Sequence, residues 1–424
     1  MRTLTHSATA AASALAVAAL TLVVASAATA ASWNGTEETR DGVLHVLNPA
    51  APVETPETIT PEELWRMGGD EEDEDVIFGV LTSIATDSEG NVYLLDMQLS
   101  QVYVYSSDGE YLNTIGREGE GPGEFRRAGD MFLAPDGNVA VMQRMPGKIV
   151  LLSTGGDPMG EWPMPGGNDG SPMFLRGGGP AGDGLVLAMG AFKRSEQNVE
   201  ITQTVARVNS AGEIVATYSE KNRTRDFANM SFDEKSDARV LWSADRDGRV
   251  FINDDFDAYT INVFDRAGNT ERVIEREYTH RKRSAEEMER NKPKVMIRRG
   301  GKRMEPETTA SPTDRDVTDI QWREDGTLWV LSSRGAYGQA DGVIATWDMY
   351  DGEGKFTRQV SIRGEGSFDA DGLHFVGDRM YVVRGLRSAQ DAMHGDGGGG
   401  DEEEDPGPMA VICYDLSGIV KASR

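Results

Sequence analysis

One short unit recurs six times along this chain, and this repeat limits the possible folds more than any other feature. Each copy is a polar turn that contains glycine, followed by a short apolar strand. The glycines of the six turns are Gly90, Gly137, Gly184, Gly248, Gly326 and Gly377, separated by 47, 47, 64, 78 and 51 residues. Repeats of this length, each with several short strands, are typical of β-propeller blades. We therefore predict an all-β fold, a six-bladed β-propeller with four antiparallel strands in each blade.

The strands that follow these turns are continuous apolar runs, such as Val92–Leu95, Leu185–Met189 and Met380–Val383. A propeller blade packs both of its faces against neighbouring blades, so its strands should lack the alternation of a half-exposed sheet. The Asp-Gly and Asn-containing turns supply the positive φ angles that tight hairpins need. A β-sandwich or a barrel is the alternative, but neither explains six copies of one unit.

The first repeat indicates how the strands of a blade are ordered. We place them at Leu81–Ala85, Val92–Leu95, Val102–Tyr105 and Tyr111–Ile115 and call them A to D in chain order. The A-to-B and C-to-D turns then lie on one face of the ring, the bottom face. The B-to-C loops and the connections from D to the next blade lie on the opposite, top face.

A segment before the first repeat is expected to close the ring. Leu64–Gly69 is similar to Leu112–Arg117, which holds the D strand of the first blade, yet no A, B and C strands precede it. We therefore predict that Leu64–Met67 is the D strand of the last blade and pairs with Ala410–Tyr414. The earlier strand Gly42–Leu47 is expected to add nearby.

The N-terminus has the pattern of a secretory signal peptide. A positive Arg2 precedes an apolar run at residues 10–25, and small-residue triplets end at Ala27 and Ala30. A membrane anchor is the alternative, but the run is short of the roughly 20 apolar residues that a span needs. We predict a signal peptide at 1–30, a linker at 31–41 and the propeller at 42–424, with an insertion at 278–314 and an acidic low-complexity loop at 386–408. The mature protein is expected in the periplasm or outside the cell, with no transmembrane span.

Charge and cysteine content limit the partners and the source of stability. The net charge is −27, which argues against nucleic acid as a partner because affinity there depends on neutralising phosphates. Cys413 is the single cysteine, so no intramolecular disulfide can form and stability must come from a packed core. We expect a monomer.

The stretch from Ile84 to Asn138 resembles NHL repeats, and in particular those of bacterial exported six-bladed β-propeller proteins. The match is carried by the turn Asp87–Asn91, by Ile115–Phe125, which reads Ile-Gly-Arg-Glu-Gly-Glu-Gly-Pro-Gly-Glu-Phe, and by Pro135–Asn138. The resemblance implies the fold for about residues 42–417. NHL-type propellers include binding modules as well as enzymes such as lactonases and lyases.

The resemblance implies that NHL-type enzymes place metal-binding side chains around the central channel. Histidines near the channel would therefore indicate a catalytic metal site. After the signal peptide the chain has only His45, His280, His374 and His394, and His374 alone falls on a predicted inner strand. A zinc site built from these residues is not expected, and no catalytic residue is carried over from the family.

Arginines in the top-face connections are the candidates for binding a ligand. They are Arg117, Arg144, Arg194, Arg334 and Arg384. Guanidinium groups that converge on the mouth of a channel would suit carboxylate, sulfate or phosphate. The alternative is that each is a solvated surface residue.

Asp254, Asp255 and Asp257 are the candidate metal ligands, because hard cations such as Ca²⁺ prefer several carboxylate oxygens. The alternative is that these side chains cap turns of the B-to-C loop of blade four. Two acidic runs occur, Asp70–Asp75 and Asp401–Asp405. They are either weak Ca²⁺ sites or solvated segments whose like charges repel one another.

The insertion between blades four and five is basic in an otherwise acidic protein. Ser284–Glu287 has the pattern of a capping box that starts a short helix, and Pro293 ends it. The basic block Arg281–Arg303 is either a solvated surface loop or an arm that binds an anionic partner. It has two possible arrangements, a lid folded over the mouth of the channel, with its charges screened by the acidic runs, or an arm that projects outwards. We expect the outward arm, because exposed ion pairs would hold such a lid closed only weakly.

From these features we predict a non-catalytic propeller that binds a peptide, a glycan or a protein on its top face. The alternative is a metal-dependent hydrolase or lyase, similar to the lactonases, with its site at the mouth of the channel. The sequence contains no nucleotide-binding motif and no nucleophile motif that would favour another enzyme class.

Overall fold

The six repeats form six blades, each with four antiparallel strands ordered from the channel outwards, and this confirms the predicted six-bladed β-propeller. N-terminal strands extend two of these sheets. The computed structural model describes residues 32–69, 78–166, 173–293, 295, 297–299, 302–304, 306–394 and 408–421. The predicted signal peptide and the acidic runs at 70–75 and 401–405 lie outside these residues. Trp33–Arg424 is one compact unit, and only this unit is described below.

Blades one and two follow four N-terminal strands. The N-terminal strands are β1 (Thr36–Arg40), β2 (Val43–Asn48), β3 (Glu57–Ile59) and β4 (Glu62–Gly68). Blade one contains β5 (Leu81–Thr86), β6 (Val92–Asp96), β7 (Gln101–Tyr105) and β8 (Tyr111–Ile115). A small parallel pair, β9 (Arg117–Glu118) and β10 (Glu124–Phe125), leads to blade two. Blade two contains β11 (Ala128–Leu133), β12 (Val139–Gln143), β13 (Lys148–Leu152) and β14 (Pro158–Trp162).

Blades three and four differ most in strand length. Blade three contains β15 (Met173–Ala181), β16 (Gly184–Arg194), β17 (Asn198–Val208) and β18 (Ile214–Asp226). Its connection to blade four holds β19 (Ser231–Asp233) and the helix α1 (Glu234–Asp237). Blade four contains β20 (Leu241–Ala244), β21 (Val250–Asn253), β22 (Thr260–Phe264) and β23 (Thr270–Arg276). The long hairpin strands of blade three account for much of the wide repeat interval after it.

The insertion and blades five and six complete the ring. The insertion contains α2 (Ala285–Arg290), β24 (Ile297–Arg299), β25 (Lys302–Met304) and β26 (Glu307–Thr309), the last of which pairs with β19. Blade five contains β27 (Val317–Trp322), β28 (Leu328–Ser332), α3 (Ser333–Ala336), β29 (Val343–Tyr350) and β30 (Phe356–Arg363). Blade six contains β31 (Gly372–Val376), β32 (Arg379–Arg384), α4 (Leu386–His394) and β33 (Ala410–Asp415), followed by α5 (Ser417–Lys421).

The turns form as their sequence predicts. In the A-to-B turn of blade one, a carboxylate oxygen of Asp87 accepts the backbone N–H groups of Glu89 and Asn91, both at 2.9 Å. Gly90 in the same turn has φ +86°, a conformation that other residues rarely adopt. Asp265 holds the C-to-D turn of blade four in the same manner through Asn269. Each blade hairpin is thus set by local side-chain chemistry.

The core lies between blades. Six clusters of buried apolar residues occur, and each contains residues from two adjacent blades, including one cluster that joins blade six to blade one. The B strands are almost wholly buried, since all five residues of β6, β12 and β28 are covered. Both faces of a blade therefore contribute to the core, as the continuous apolar runs indicate.

Ring closure occurs as predicted. The strand β4 pairs antiparallel with β33, so that Met67 lies opposite Val411 and Trp65 opposite Cys413. The N-terminal segment thereby supplies the D strand of blade six, whose other three strands come from the C-terminus.

The position expected for the strand Gly42–Leu47 was wrong. The strand β2 runs parallel to β23 on the outside of blade four, rather than beside blade six. The segment predicted to be a linker at 31–41 contains β1, which pairs with β2 and makes blade four a six-stranded sheet. The next strand, β3, adds in parallel to β30 of blade five. We call residues 33–59 the N-terminal strap, because they cover the outer edges of two consecutive blades before β4 completes the third.

Two other segments contain more regular structure than predicted. The acidic loop 386–408 begins with α4, in which Leu386 and Ala389 pack against the core of blades six and one. The insertion contains the predicted helix α2, and both hydrogen bonds of its capping box between Ser284 and Glu287 are present. The pairs β24–β25 and β19–β26 were not predicted, since they depend on partners across the chain.

Candidate ligand-binding site at the mouth of the channel

Four of the six inner strands carry the same irregularity near their first residues. A β-bulge interrupts the pairing of the A strand with the B strand at Thr82 in β5, Gly129 in β11, Arg176 in β15 and Thr318 in β27. A bulge redirects the side chains that follow it. The A strands start at the top face, so the bulges place Asp130 and Asp319 at the upper end of the channel.

Asp130 links three blades. One of its carboxylate oxygens accepts the Ser83 hydroxyl at 2.9 Å from blade one, and the other accepts the backbone N–H of Gly178 at 3.0 Å from blade three. The Met131 N–H also donates to it at 2.9 Å. Glycine is needed in this part of β15, because a Cβ atom on Gly178 would lie 2.8 Å from the Phe132 ring.

Asp319 lies on the opposite side of the ring, since blade five is three blades from blade two. It accepts the Ile320 N–H at 2.8 Å and the Gln321 side-chain amide at 3.0 Å. Both of these partners belong to its own strand, so among the described residues Asp319 makes no blade-to-blade hydrogen bond of the kind made by Asp130.

A cavity of about 250 Å³ opens between these two carboxyl groups. Residues of blades two to five line it, including Asp130, Arg176, Gln203, Trp242 and Asp319. Arg239, which directly precedes blade four, lies at its rim as well. The cavity is therefore at the mouth of the channel on the top face, where the D-to-A connections and inner strands meet.

Two arginines line this cavity, Arg176 and Arg239, and Arg144 lies beside it next to Asp130. None of the three has a carboxylate within ion-pair distance in the described residues. Arg176 lies over the Phe174 ring, with its guanidinium carbon 5.2 Å from the ring centre. Arg144 lies over the bulge residue Gly129, where any Cβ atom would be only 1.9 Å from its Nε. All three, Arg144, Arg176 and Arg239, are exposed, and we call them the mouth arginines.

The electrostatics of the cavity follow from burial and from these neighbours. Desolvation raises the pKa of Asp130 and of Asp319, although Arg144 opposes the shift at Asp130 and Arg239 opposes it at Asp319. Desolvation lowers the pKa of Arg176, the nearby cations Arg223, Arg239 and Arg144 add to this shift, and Asp237 opposes it. Cations at the rim thus surround carboxyl groups whose charged form is disfavoured.

The five arginines predicted to bind a ligand are not brought together. Arg144 alone is a mouth arginine. Arg117 donates to Glu124 at 2.7 Å in the small pair β9–β10, and Arg194 lies opposite Val199 near the tip of the long hairpin of blade three. Arg334 donates to the Thr279 carbonyl at 2.8 Å. Arg384 pairs with Glu365 and, at 3.2 Å, with Asp371.

A larger depression of about 810 Å³ lies between blades four and five, and Arg334 and Arg276 border it. Both guanidinium groups already have partners, because Arg276 forms a buried ion pair with Asp348 and Arg334 donates to backbone carbonyls. This depression is therefore less suited to an anion than the smaller cavity at the channel.

The three aspartates predicted to hold a metal point to separate partners. Asp254 accepts the Ser219 hydroxyl at 3.3 Å, and Asp257 pairs with Lys235 at 2.7 Å. Asp255 accepts the backbone N–H of Asp257 at 2.9 Å, which is a turn-capping contact. In the part of the chain that the structure describes, no group of three or more His, Cys, Asp or Glu residues is arranged to hold a metal ion. The cation site at these aspartates stays a prediction.

His374 lies on the inner strand β31 as predicted. Its Nε2 atom is covered and has no hydrogen-bond partner among the described residues, and desolvation lowers the pKa of the ring to about 4. At neutral pH the ring is therefore uncharged.

The base of the basic insertion is held by ion pairs. Arg283, whose side chain is 5% exposed, pairs with Asp314 at 2.5 Å and with Glu234 at 2.6 Å. Arg281 pairs with the same Asp314 at 2.5 Å and with Glu287 at 2.6 Å. These contacts connect the insertion to α1, so its first residues do not form a free arm. The side chains of residues 296–305 lie outside the description.

Sequence reasoning missed most of this site. Arg176 and Trp242 lie on inner strands and Arg239 lies in a D-to-A connection, whereas four of the five predicted arginines lie in B-to-C loops or at the end of the strand before them. A usable signal exists, since Gly177-Gly178-Gly179 in an inner strand marks a close approach of neighbouring side chains. Trp242 uses that space, because a Cβ atom on Gly177 or Gly179 would lie 3.9 or 3.6 Å from its ring.

Comparison with protein families supports the fold. The family model DUF5128, described as a 6-bladed beta-propeller, matches residues 71–231, which contain blades one to three. No curated protein matches the chain.

Several solved structures are similar at low sequence identity. A member of the DUF4221 family from Bacteroides vulgatus has 8% identity and a TM-score of 0.45, over 84% of this chain and 97% of that one. The calcium-binding protein regucalcin from Agrobacterium tumefaciens has 10% identity and a TM-score of 0.41, over 84% and 95%. A gluconolactonase from Xanthomonas campestris has 11% identity and a TM-score of 0.37, over 80% and 87%. At these scores none of them carries an argument about function.

No helix of the described ranges, 32–69, 78–166, 173–394 with its few gaps, and 408–421, is long and apolar enough to cross a membrane.

Proposed function

We propose that this propeller is a non-catalytic binding protein that takes an anionic organic ligand at the mouth of its channel on the top face. The observation that carries the proposal is the group of mouth arginines, Arg144, Arg176 and Arg239, which lack carboxylate partners among the described residues. Such an excess of positive charge is unusual in a chain with a net charge of −27. Arginine recognises carboxylate and sulfate through paired hydrogen bonds.

The same geometry favours binding over the alternative of a metal-dependent hydrolase or lyase. Three guanidinium groups face two carboxyl groups, Asp130 and Asp319, whose charged form is disfavoured by desolvation. This balance of charge repels an entering divalent cation and attracts an anion. A binding site also needs an apolar wall and a few oriented polar groups. Trp242 and Gln203 supply these features here.

The setting of this function is part of the proposal. We propose that the chain is exported through its N-terminal signal peptide and acts as a monomer in the periplasm or outside the cell. We also propose that blade one is an NHL-like repeat and that the protein is bacterial. The anionic group of the ligand would belong to a peptide, a glycan or a protein. No nucleic acid is expected.

Calorimetry with citrate and sulfate, at low and at high salt, tests the proposal. We expect citrate to bind, and binding to weaken with salt because the mouth arginines are exposed. Arg176→Ala and Arg239→Ala should each reduce the affinity about tenfold or more, the usual effect of losing a hydrogen bond to a charged group.

Arg246→Ala is the matched control, since Arg246 is an exposed arginine of an A-to-B turn on the bottom face that pairs with Glu324. It removes the same charge from the protein but should leave citrate binding unchanged. Equal losses in all three variants would show that only the net charge matters, and the proposed site would be wrong.

A further inference from the structure

The cavity combines groups that a simple anion would not use together. Its rim carries two of the mouth arginines, Arg176 and Arg239, while its walls carry the carboxyl groups of Asp130 and Asp319. A ligand that fits must therefore present an acidic group to the arginines and hydrogen-bond donors to the two carboxyl groups. The inference that follows rests on the proposed function and concerns the chemical class of the ligand.

The two carboxyl groups have free accepting capacity. An ionised carboxylate has about four lone-pair sites. Asp319 uses two of them, for the Ile320 N–H and the Gln321 amide, and Asp130 uses three, for Ser83, Met131 and Gly178. At least one accepting position therefore remains on each side chain.

These two acceptors face the cavity from opposite sides of the ring, because blade two and blade five are three blades apart. A single ammonium group would meet only one of these walls. Several hydroxyl groups distributed around one small ring can meet both. The positions of Asp130 and Asp319 thus favour a polyhydroxylated ring over an amino acid.

One wall of the cavity is flat and apolar. Trp242 extends across Gly177 and Gly179 of β15, and the indole is only half-buried. Aromatic side chains of this kind provide a rigid apolar surface beside polar groups. The apolar face of a sugar ring can pack on such a surface while its hydroxyls point to the side.

The volume limits the ligand to one such ring. The cavity measures about 250 Å³. Pockets for drug-sized molecules have roughly 300–1,000 Å³. One six-membered sugar ring with its substituents is of a suitable size, either free or at the end of a chain that leaves through the mouth.

We infer that the channel mouth binds a hexuronate, a sugar ring with one carboxylate, as a monosaccharide or as the terminal unit of an acidic glycan. The carboxylate would pair with Arg176 and Arg239, the ring would pack on Trp242, and the hydroxyls would donate to Asp130 and Asp319.

Calorimetry with D-glucuronate and D-galacturonate tests the inference, with glucose, citrate and glutamate as comparison ligands. We expect at least one uronate to bind about tenfold or more tightly than glucose, which lacks the carboxylate, and more tightly than citrate, which lacks the ring. Glutamate should bind more weakly than the uronate. Trp242→Ala should weaken uronate binding and leave citrate binding nearly unchanged.

Asp319→Asn is the second variant, since it keeps the shape of the site even if Trp242→Ala disturbs blade four. It should weaken the uronate and strengthen citrate, because it removes one acceptor and one negative charge. Arg246→Ala should change neither ligand.

The outcomes separate this inference from the proposed function. If citrate binds in an arginine-dependent way but the uronates bind no better than glucose, the uronate assignment is wrong and anion binding stands. Tighter binding of glutamate would instead identify a zwitterion site and also overturn the assignment. If neither citrate nor a uronate binds, the proposed function itself fails.

Discussion

Blades one to three and blades four to six are joined to their neighbours by different contacts. In the first group, polar side chains of the inner strands connect the blades, as Asp130 does with Ser83 and Gly178. In the second group an inner-strand contact also occurs, since the Ser243 hydroxyl of β20 accepts the Trp322 N–H of β27 at 2.9 Å. In addition, the N-terminal strap pairs with the outer strands, β2 with β23 and β3 with β30. Both halves of the ring are therefore linked beside the channel, and only the second half is also linked at the rim.

The outer strands of the blades differ in exposure according to whether the strap covers them. Exposed apolar residues lie on the outer strands that the strap does not cover, at Tyr111, Leu112, Met159, Ile214 and Val215 in blades one to three and at Leu64 in blade six. The sheets of these four blades end at β8, β14, β18 and β4, whereas the strap extends the sheets of blades four and five. Covering an outer strand protects its backbone groups from pairing with another chain. The segment that leads into the closing strand therefore also protects the outer edges of the two blades that it crosses.

Removing the closing strand should have the largest effect. Deletion of residues 33–68 removes β4 and exposes the outer edge of β33, and we expect a loss on the order of 5 kcal/mol or more, much of the usual stability of a domain. Deletion of residues 33–59 removes the strap alone and should leave blade six closed. The free energy of unfolding in denaturant distinguishes the two variants.

Cys413 reports on closure directly. Its thiol is completely buried opposite Trp65 of β4, and desolvation raises its pKa to about 11. A buried thiol with a raised pKa reacts slowly. We expect Cys413 to be labelled rapidly only after deletion of 33–68. Rapid labelling after deletion of 33–59 would mean that the strap, and not β4, holds the ring closed.

Substitution of Arg283 should have the next largest effect, in the half that carries the strap. Arg283→Ala leaves the buried Asp314 and its partner Glu234 with one fewer cation, and breaking a buried ion pair costs about 3–5 kcal/mol. The effect should be local, on the insertion and α1, and limited proteolysis near residues 296–305 should detect it. Arg290→Ala is the control, because Arg290 makes an exposed pair with Asp369 at 3.3 Å.

Limited proteolysis can also contradict this prediction. If Arg290→Ala and Arg283→Ala increase proteolysis to the same extent, the buried pairs at the base do not position the insertion. The insertion would then be the free arm expected from its sequence.

Asn48 connects the strap to two blades at once. Its side chain accepts the Phe356 N–H at 2.7 Å and donates to the carbonyls of Gly354 at 3.0 Å and Glu275 at 3.1 Å. Asn48→Ala leaves these buried groups unpaired, and we expect a loss of about 2–3 kcal/mol. Hydrogen exchange should increase at β2 and β30.

Gln143 provides the comparison in the other half. This buried amide accepts the Arg126 N–H at 2.9 Å and donates to the Pro146 carbonyl at 3.0 Å, both within blade two. Gln143→Ala should cost about 1–2 kcal/mol without faster exchange in a neighbouring blade. Exchange that spreads to blades one and three would show that the two halves do not differ as described.

Local chemistry explains which parts of the fold the sequence could predict. The blade strands follow from turns such as Asp87–Asn91 and from continuous apolar runs, and closure by Leu64–Met67 follows from its likeness to Leu112–Ile115. The strap was misplaced because β1 is exposed at every residue and carries no apolar pattern. Parallel pairing of β2 with β23 depends on a partner more than 200 residues away.

The candidate site was harder to predict for a related reason. A side chain reaches the mouth only if its own blade has the right bulge and loop length. Arg194 shares a B-to-C position with Arg144, but the long hairpin of blade three carries it away from the channel. Arg334 is drawn to the Thr279 carbonyl by the short helix α3. Equivalent positions in the repeat therefore do not give equivalent positions around the cavity.

The smallest effect concerns the two buried carboxyl groups, one in each half. Desolvation raises the pKa of Asp319 above that of the unfolded chain, so the folded state binds the extra proton in the intervening pH range and stability falls as pH rises through it. Asp319→Asn removes this penalty and should raise Tm slightly at neutral pH, and the gain should disappear at pH values below both pKa values. The pKa of Asp130 is also raised, but Asp130→Asn should lower Tm, because its amide N–H₂ would face the Gly178 N–H and the blade-to-blade link would be lost. Thermal unfolding of both variants across this pH range is the measurement. A higher Tm in both variants would mean that Asp130 does not join blades one to three beside the channel. A lower Tm in both would mean that Asp319 makes contacts of the same kind in the half that carries the strap.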